Sequence, residues 1–361
     1  MIVDIGLSIA AGLLLIATLV PFLRLRYWWV RGFDFPRLQL AGLALAAGLL
    51  LWLFGSAEWR WWAIAACAIV VTVQGKHIRP WTPLATKKVA DAHADGDWRY
   101  LTVLVANVLT PNRNAQDLLT QIHAAQPNLV LTLESDEWWG EQLTRSLQAD
   151  WPHSVKVPLD NLYGMHLFSR EPLEDVEVKW LIQSDIPSIH AWLRMECGVR
   201  IRIHAVHPRP PAPSESDESL WRDAELLLVG KGIHQHEQPT LLFGDLNDVA
   251  WSRTTRLFCR VSGMLDPRRG RGMFSTFHAR HFLLRWPLDH IFVSEHFTLG
   301  GMRRLKGFGS DHFPILATLC YRPARADEND SPEADSEERK EAAETIHEAR
   351  REGDGEATRH G

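Results

Sequence analysis

The sequence has few cysteines, and their spacing does not match common metal or redox motifs. Cys67, Cys197, Cys259 and Cys320 lie far apart and form no Cys-x-x-Cys pair. Structural zinc sites usually draw ligands from such closely spaced pairs, so this class of site is not supported. Cys67 falls in an apolar run, and the others are most simply small core side chains.

An excess of positive charge is also missing. The net charge is −5, and residues 326–361 hold 13 acids and 5 bases, so this tail alone accounts for −8. Residues 98–325 hold 25 acids and 25 bases and are therefore neutral. A protein that tracks long nucleic acid usually has a basic face. Neutrality gives no support to a large nucleic-acid footprint, although it leaves room for a local basic cleft.

Long hydrophobic runs are present, but only in the first eighty residues. The runs cover about 5–23, 38–54 and 59–75, and a helix needs about 20 apolar residues to cross a bilayer. Several tryptophans lie near the run ends, as in an aromatic belt. The first run lacks the positive start of a signal peptide and is followed by a second run, which favours a retained anchor over cleavage. The alternative is a buried hairpin of core helices.

The orientation of this region, residues 1–79, depends on the third run. The first connecting loop carries Arg24, Arg26, Arg31 and Arg37 against Asp34, and the positive-inside rule places it in the cytoplasm. If all three runs span, the remaining chain is cytoplasmic; if the third is interfacial, it is periplasmic or extracellular. The pattern predicts a multi-pass integral membrane protein, which we assign to a bacterial inner membrane.

The composition after the membrane region predicts a linker, one large domain and a tail. Residues 80–97 contain two prolines and scattered charges and are typical of a linker. Residues 98–322 alternate β-rich runs with segments of helical spacing, which predicts an α/β layered domain. Residues 323–361 have almost no apolar side chains, so we expect this tail to be disordered.

Polar residues with a shared chemistry follow or precede the predicted strands of the domain. They are Asn107, Glu134, His207, Asp245, Asn247, Asp289, Asp311 and His312. Side chains at strand ends can converge on one edge of a sheet. Mg²⁺ prefers carboxylate oxygens and often binds one or two carboxylates plus a substrate phosphate. Asparagine and histidine can donate hydrogen bonds to developing negative charge. This set is what metal-assisted phosphoester hydrolysis requires.

The local sequences, in their order along the chain, resemble the endonuclease/exonuclease/phosphatase superfamily. The matching segments are VLVANV (103–108), PNLVLTLE (127–134), YGMHLFSR (163–170), AVHP (205–208), GDLN (244–247), LDHI (288–291) and SDHFP (310–314). The resemblance implies an α/β four-layer sandwich, in which two mixed β-sheets are flanked by helices. It departs from the family at Thr132-Leu133, where glutamine commonly precedes the glutamate.

The resemblance also implies roles for the polar residues. Glu134 would bind Mg²⁺, or Mn²⁺ as the alternative, with Asn107 and Asp311 supporting the metal. Asp245 would orient or deprotonate the attacking water, and Asn247 would stabilise the transition-state phosphate. His312, paired with Asp289, would contact the phosphate or transfer a proton. His207 would bind phosphate or protonate the leaving oxygen.

Three arginines are weaker candidates for substrate binding. Arg170 ends one family-like segment, and Arg269 and Arg271 belong to a basic, glycine-containing loop. The loop could contact a phosphate or headgroup near the cleft, or it could be an ordinary solvated turn.

The function predicted from the sequence is a membrane-anchored, divalent-metal-dependent phosphoesterase that acts on a phosphodiester or phosphomonoester. Anchoring makes a lipid headgroup a plausible substrate. The first alternative is a nuclease acting on DNA or RNA, and the second is a non-catalytic membrane scaffold with the same fold. The expected partners are the phosphoester substrate and the bilayer, and no protein partner is evident from the sequence.

Overall fold

The computed structural model describes residues 2–92, 99–235 and 238–357. The chain divides into two compact units. The first comprises Met1–Thr86 and Pro211–Ser219, and the second comprises Lys87–Pro210 and Leu220–Gly361.

The first unit is helical: α1 (Ile2–Leu19), α2 (Trp28–Gly32), α3 (Arg37–Phe54) and α4 (Arg60–Ile78). With the short 3₁₀ turns that extend two of them, the helical segments Ile2–Leu23, Arg37–Phe54 and Arg60–Trp81 are long and apolar enough to cross a membrane. At most 28% of each apolar window is buried by protein, so most of this surface faces outward, as expected for helices solvated by lipid.

Polar side chains fix the directions of the three long helices. Arg37, at the start of α3, donates from Nη1 to Gln74 Oε1 over 3.0 Å, and Gln74 Nε2 donates to Thr18 Oγ1 over 3.0 Å. Thr18 and Gln74 lie near the ends of α1 and α4, so these two helices run opposite to α3. The third helix continues to Ile78, past the predicted end at 75, and the polar side chain of Gln74 near this end is satisfied between helices.

Residues 211–219 belong to the first unit although they follow a strand of the second. The amide of Trp28 donates to Asp217 O over 2.9 Å, and the amide of Ser219 donates to Arg26 O over 2.9 Å. Arg31 Nε also donates to Ser219 Oγ. This association was not predicted from the residue pattern.

The second unit contains eleven strands within the described residues. They are β1 (Tyr100–Asn107), β2 (Leu129–Leu133), β3 (His153–Val157), β4 (Met165–Ser169), β5 (Leu173–Lys179), β6 (Ser188–Arg194), β7 (Arg200–Ala205), β8 (Thr240–Asp245), β9 (Asp289–Val293), β10 (Phe297–Arg304) and β11 (Ile315–Tyr321). One sheet has the order β10-β11-β1-β2-β4-β3, and the other has the order β5-β6-β7-β8-β9. Both are mixed, because β1–β2 and β7–β8 pair in parallel.

The sheets pack face to face and helices cover their outer faces. The central core is formed by alternate residues of both sheets, including Val103, Val105, Leu131, Ile203, Leu241 and Ile291. The helices are α5 (Ala115–Ala125) and α6 (Glu137–Leu147) on the first sheet, and α7 (Leu220–His234) and α8 (Arg253–Ser262) on the second. The predicted four-layer sandwich of two mixed sheets is confirmed.

The charged tail differs from the expected disorder. Residues Ser336–Ala357 form a helix, α9. Its few apolar side chains lie on one face: Ala342 and Ile346 join a buried cluster with α7 and α8. Arg260 Nε lies 2.7 Å from Glu338 Oε2, and Arg253 pairs with Glu341. Low apolar content misled the prediction, because partner helices supply most of the buried surface.

We expect Ile346→Ala to loosen α9. Ile346 is 6% exposed, and removing a buried isoleucine side chain costs about 2 kcal/mol or more, which is about thirtyfold in a local opening equilibrium. Hydrogen exchange of the α9 amides should therefore be about thirtyfold faster. His347→Ala, at the exposed neighbouring position, is the matched control; equal exchange in the two variants would contradict the packing.

Candidate active site

Polar residues from both sheets meet at one edge of the sandwich. Asn107 is the last residue of β1, and Glu134 follows β2, which runs parallel to it. β11 is antiparallel to β1, so His312, which precedes it, lies at the same edge. In the second sheet, Asp245 ends β8 and is the register partner of Asp289, the first residue of β9.

Asn107 links the two sheets through its side chain. Its Nδ2 donates to Glu134 Oε1 over 2.7 Å and to Asp245 Oδ2 over 3.1 Å. Its Oδ1 accepts from the amide of Leu109 over 3.0 Å, which fixes the orientation of the amide group. Ser310 Oγ donates to the Asn107 carbonyl and accepts from the amide of His312. The segment that carries His312 is therefore bound directly to the end of β1.

His312 lies between two carboxylates. Its Nδ1 donates to Asp289 Oδ2 over 2.8 Å, and its Nε2 lies 3.5 Å from Asp245 Oδ2. Burial alone would lower the pKa of His312, but the charges of Asp289 and Asp245 raise it to about 10. His312 is therefore an imidazolium at neutral pH, and a group of this kind can donate a proton or a hydrogen bond to an anionic phosphoryl group.

Asp245 is held ionised and oriented by the loop that follows it. Burial would raise its pKa, but the neighbouring His312 and His207 keep it below the ordinary value. The amide of Asn247 donates to Asp245 Oδ1 over 2.9 Å. Gly244 has a φ of +151°, and a Cβ atom there would lie 1.9 Å from the carbonyl oxygen of Val206. Only glycine allows β8 to approach the β7 end this closely.

A hydrogen bond from α7 holds Asn247 in the loop after β8. Asn247 has a φ of +50°, and its Nδ2 donates to the Pro208 carbonyl over 3.0 Å. The buried Arg222 donates from Nη1 to the Asn247 carbonyl over 2.9 Å. Asparagine tolerates this left-handed conformation better than most residues, and the loop holds the backbone amide of Asn247 on Asp245 Oδ1.

Within the described residues, Glu134 and Asp289 each have one buried carboxylate oxygen without a hydrogen-bond partner, and of the two it is Asp289 that bonds to the imidazolium of His312. Glu134 Oε1 accepts from Asn107, while the buried Oε2 has no hydrogen-bond partner within the described residues. Burial raises the pKa of Glu134 to about 7. A buried carboxylate oxygen without a partner is costly, and a hard divalent cation would supply the missing charge. The carboxylates of Glu134 and of Asp311, whose charge acts on it, therefore fit Mg²⁺ or Mn²⁺, and Asn107 holds the Glu134 carboxylate in place through Nδ2.

A second cluster of possible metal ligands, formed by two aspartates and a histidine, is less suited to bind a metal ion. Ligand atoms of Asp245, Asp289 and His312 lie within 4.8 Å of one another. The imidazolium of His312 already compensates these two carboxylates, and a cation placed among the three would face its positive charge. We therefore interpret this group as a charge network beside the Glu134 site.

His207 lies after β7 and is buried against Tyr163, whose ring centroid is 5.3 Å from its own. Burial lowers the pKa of His207 to about 4, so the ring is neutral at pH 7. Its Nδ1 has no hydrogen-bond partner within the described chain. A neutral imidazole with a vacant nitrogen can bind a phosphate or leaving-group oxygen.

The structure places the three candidate arginines away from this cluster, which corrects the prediction for them. Arg170 follows β4, where Ser169 pairs with the first residue of β2, and it donates to Gln126 and stacks on Trp151. It thus lies at the opposite end of β2 from Glu134. Arg271 Nη2 donates to the Val89 carbonyl and to Asp91, so it anchors that segment.

Arg269 lies near enough to Asp330 and Cys259 for its charge to act on both, although Lys88 is the main cause of the lowered pKa of Asp330 and burial raises the pKa of the Cys259 thiol to about 12. It therefore belongs to the C-terminal side of the unit and not to the edge that carries Glu134. Sequence adjacency could not show that a basic loop points away from the cleft.

Two supporting residues were missed by the sequence interpretation. Arg268 is fully buried and donates from Nη1 to the Asp289 carbonyl over 3.1 Å while pairing with Asp266. Thr276 Oγ1 accepts from the amide of Asp289 over 3.1 Å. Both hold the strand that presents Asp289 to His312. Nothing in the neighbouring sequence indicated that Arg268, beside a glycine-containing turn, would be buried.

The comparison with family models decides the assignment. The model described as Endonuclease/Exonuclease/phosphatase family matches residues 104–312, which include the cluster from Asn107 to His312. The chain belongs to this family. Its members are phosphoesterases and nucleases that depend on a divalent metal, so the chain is assigned to the hydrolases. No curated protein sequence matches the chain significantly.

Solved structures of the endonuclease/exonuclease/phosphatase family share the fold. A humanized TDP2 from D. rerio has a TM-score of 0.51 at 15% identity and covers 61% of this chain and 99% of its own. A family protein from Bacteroides thetaiotaomicron has a TM-score of 0.51 at 18% identity, covering 62% and 98%. The mannosyl-6-phosphatase of B. thetaiotaomicron has a TM-score of 0.50 at 18% identity, covering 61% and 100%.

Proposed function

We propose that the chain is a membrane-anchored phosphoesterase that uses Mg²⁺, or Mn²⁺, to hydrolyse a phosphodiester or phosphomonoester. The observation that carries the proposal is Glu134: its buried Oε2 has no partner within the described residues, and it lies beside the network of Asn107, Asp245 and His312. A non-catalytic scaffold would have no use for an uncompensated buried carboxylate next to an imidazolium.

In the proposed mechanism Glu134 holds the metal, supported by Asn107 and Asp311. The bound ion would polarise a phosphoryl oxygen and stabilise negative charge. Asp245, kept ionised by its neighbours, accepts the proton of the attacking water at a carboxylate oxygen. A metal-free cluster would leave the Glu134 pKa near 7, so metal binding should weaken as the pH falls below that value.

The remaining residues act on the phosphoryl group and the leaving group. The imidazolium of His312 and the side-chain amide of Asn247 stabilise the charge on the phosphoryl oxygens. Asp289 orients His312 through the 2.8 Å hydrogen bond at Nδ1. His207, neutral and with an unpartnered Nδ1, binds the leaving oxygen.

A lipid phosphoester is our preferred substrate class, because the same chain carries three helices able to span a membrane. A nuclease is the alternative that a relative favours, since another D. rerio TDP2 structure contains a single-strand DNA product. The neutral charge of residues 98–325 weighs against long nucleic acid.

We also propose that the catalytic unit is cytoplasmic. The third helix extends over Arg60–Trp81 and is as long as the first segment, which favours three crossings. Arg24 and Arg26 follow α1 and Arg31 lies in the short helix α2, and the positive-inside rule assigns this end of α1 to the cytoplasm. A green fluorescent protein fused to the C-terminus should then fluoresce in a bacterial host.

The experiment that tests the function is turnover of p-nitrophenyl phosphate and bis-p-nitrophenyl phosphate by the full chain in detergent. Activity should require Mg²⁺ or Mn²⁺, disappear in EDTA and return on adding metal. The preferred ester would separate monoesterase from diesterase. A folded chain that neither binds Mn²⁺ nor turns over either ester would support the scaffold.

The full chain is preferable to a fragment ending at Arg325. Such a fragment would lack α9 and would expose Leu227, Leu257 and Val261, which α9 covers. An inactive fragment could then reflect lost packing and would say nothing about the active site.

A further inference from the structure

A short hairpin adjoins the His312 side of the candidate active site. We call residues 277–286 the rim hairpin. The amide of Phe277 donates to the Trp286 carbonyl over 3.0 Å and closes its base. The ring of Phe277 lies 5.0 Å from that of His312, and the amide of Ala279 donates to the Asp311 carbonyl over 2.6 Å. The base of the hairpin is therefore attached to the catalytic segment.

The tip of the rim hairpin is apolar and faces solvent. Phe282, Leu283 and Leu284 are consecutive, with exposed fractions of 75%, 72% and 46%. Elsewhere in the described part of the second unit, the other large hydrophobic residues that are exposed are Leu162, Val176 and Trp180, which do not adjoin one another. Isolated exposed hydrophobic residues are ordinary, whereas an exposed run of three is typical of an interaction surface.

Two arginines lie between this tip and Phe313. Arg285 lies 5.3 Å from the Phe282 ring and 5.1 Å from the Phe313 ring, and Arg304 lies 4.2 Å from the Phe313 ring. Within the described residues, neither arginine forms an ion pair with a carboxylate. By contrast, Arg200 and Arg209 on the same unit pair with acids. The hairpin therefore combines an apolar tip with uncompensated positive charge.

We propose that the rim hairpin docks on the surface of an anionic lipid bilayer, with its tip among the acyl chains and its arginines on the phosphate headgroups. Apolar side chains with a basic border are the composition that binds this interface. Arginine can reach headgroups while its stem stays on apolar surface. The docked hairpin would present a lipid phosphoester to His312, so this inference rests on the proposed phosphoesterase function and specifies its substrate class.

A single-stranded nucleic acid is the other ligand that arginines and aromatic rings can bind. Such sites use aromatic side chains as stacking platforms for successive bases. Leu283 and Leu284 offer no ring for stacking, and two aliphatic side chains beside one phenylalanine match acyl chains better. The hairpin therefore favours lipid, and nucleic acid becomes an outcome of the test.

The test places an environment-sensitive nitrobenzoxadiazole label on the tip of the full chain. The label is attached to Leu283→Cys in a Cys197→Ser background, since Cys197 is the exposed cysteine of the described chain. The protein is reconstituted in nanodiscs of phosphatidylcholine with or without 30% phosphatidylglycerol. Trp180→Cys, an exposed position of the same unit, carries the control label.

In anionic nanodiscs the tip label should shift to the blue and lose at least half of its emission to doxyl-labelled lipid, while the control label does neither. Adding Arg285→Gln and Arg304→Gln should reduce the quenching at least threefold. A tip label that is as unquenched as the control in both nanodiscs would overturn the proposal. So would a label that responds to a single-stranded oligonucleotide and not to lipid.

The same samples separate the docking surface from the proposed function. Turnover of p-nitrophenyl phosphate and bis-p-nitrophenyl phosphate, which are both soluble, reports on the active site without the bilayer. Quenching in a chain that neither binds Mn²⁺ nor turns over either ester would retain the docking surface and reject the phosphoesterase, while turnover without quenching would do the reverse.

Discussion

Asp245→Asn should lower kcat for the preferred aryl ester by about 10³–10⁴-fold, the range expected when a general base and a charge of the network are lost together. The asparagine keeps the shape of the side chain and an oxygen that can accept from the Asn247 amide, now 2.9 Å from Asp245 Oδ1. It cannot accept a proton from water or balance the imidazolium of His312. The measurement is steady-state turnover at saturating Mn²⁺.

The control for this prediction is Asp175→Asn. Asp175 is an exposed aspartate of the same unit that pairs with Arg200, and its loss should leave kcat within twofold. Manganese binding by Asp245→Asn should persist because Glu134 is intact. If the variant keeps a tenth of the wild-type rate while folded, Asp245 is not the base.

The position of the site was predictable because the polar residues mark strand ends. Asn107, Glu134 and Asp245 each follow a short run of fully buried strand residues, and parallel neighbours bring such ends to one edge. The pairing of His312 with Asp289 followed from the family resemblance, and the structure has this pair in contact. Local pattern and chain order were sufficient for these residues.

The arginines were not predictable, because their direction depends on tertiary contacts. Arg170 extends from the strand end opposite to Glu134 and stacks on Trp151. Arg268 and Arg271 are close neighbours in the sequence, yet one is buried behind Asp289 and the other binds the 89–91 segment. An arginine in a loop has a long, flexible side chain, and the sequence does not indicate which part of the protein that side chain contacts.

Helix α9 shows a different kind of failure. Its start carried a local signal, since Asp335 and Glu338 form a reciprocal capping box with the amides of each other. The average composition of the tail hid this signal. The surface that stabilises the helix comes from α7 and α8, so its order depends on contacts that composition does not report.

His312→Gln should lower kcat by about 10²–10³-fold below the His312 pKa of about 10, because a neutral amide replaces the cation that faces the phosphoryl group. His312 Nδ1 bonds to Asp289 and its Nε2 lies near Asp245, so the variant also leaves two buried carboxylates uncompensated. Loss of stability is therefore a competing explanation for lost activity. A second variant is needed that keeps the histidine and changes only its pKa.

Asp289→Asn serves this purpose and should change the pH dependence of kcat. Asp289 and Asp245 together raise the pKa of His312 to about 10, against the effect of burial. Wild-type His312 therefore stays protonated up to that pH, whereas the variant, with one carboxylate fewer, should lose the proton about 1–3 pH units earlier. The variant should approach the wild-type rate near pH 6 and fall tenfold per pH unit above its new pKa.

The raised pKa of His312 also predicts how the free energy of unfolding depends on pH. Its effect has the opposite sign to that of a salt-bridged carboxylate, which adds stability as the pH rises. Between the unfolded value of 6.5 and the folded value of about 10, the native chain holds a proton that the unfolded chain has released, so the wild type loses stability as the pH rises. In Asp289→Asn the folded-state pKa of His312 is lower, so the pH range over which stability falls should end at a lower pH than in the wild type. An unchanged alkaline limb in both kcat and thermal stability would show that Asp289 does not control the charge of His312.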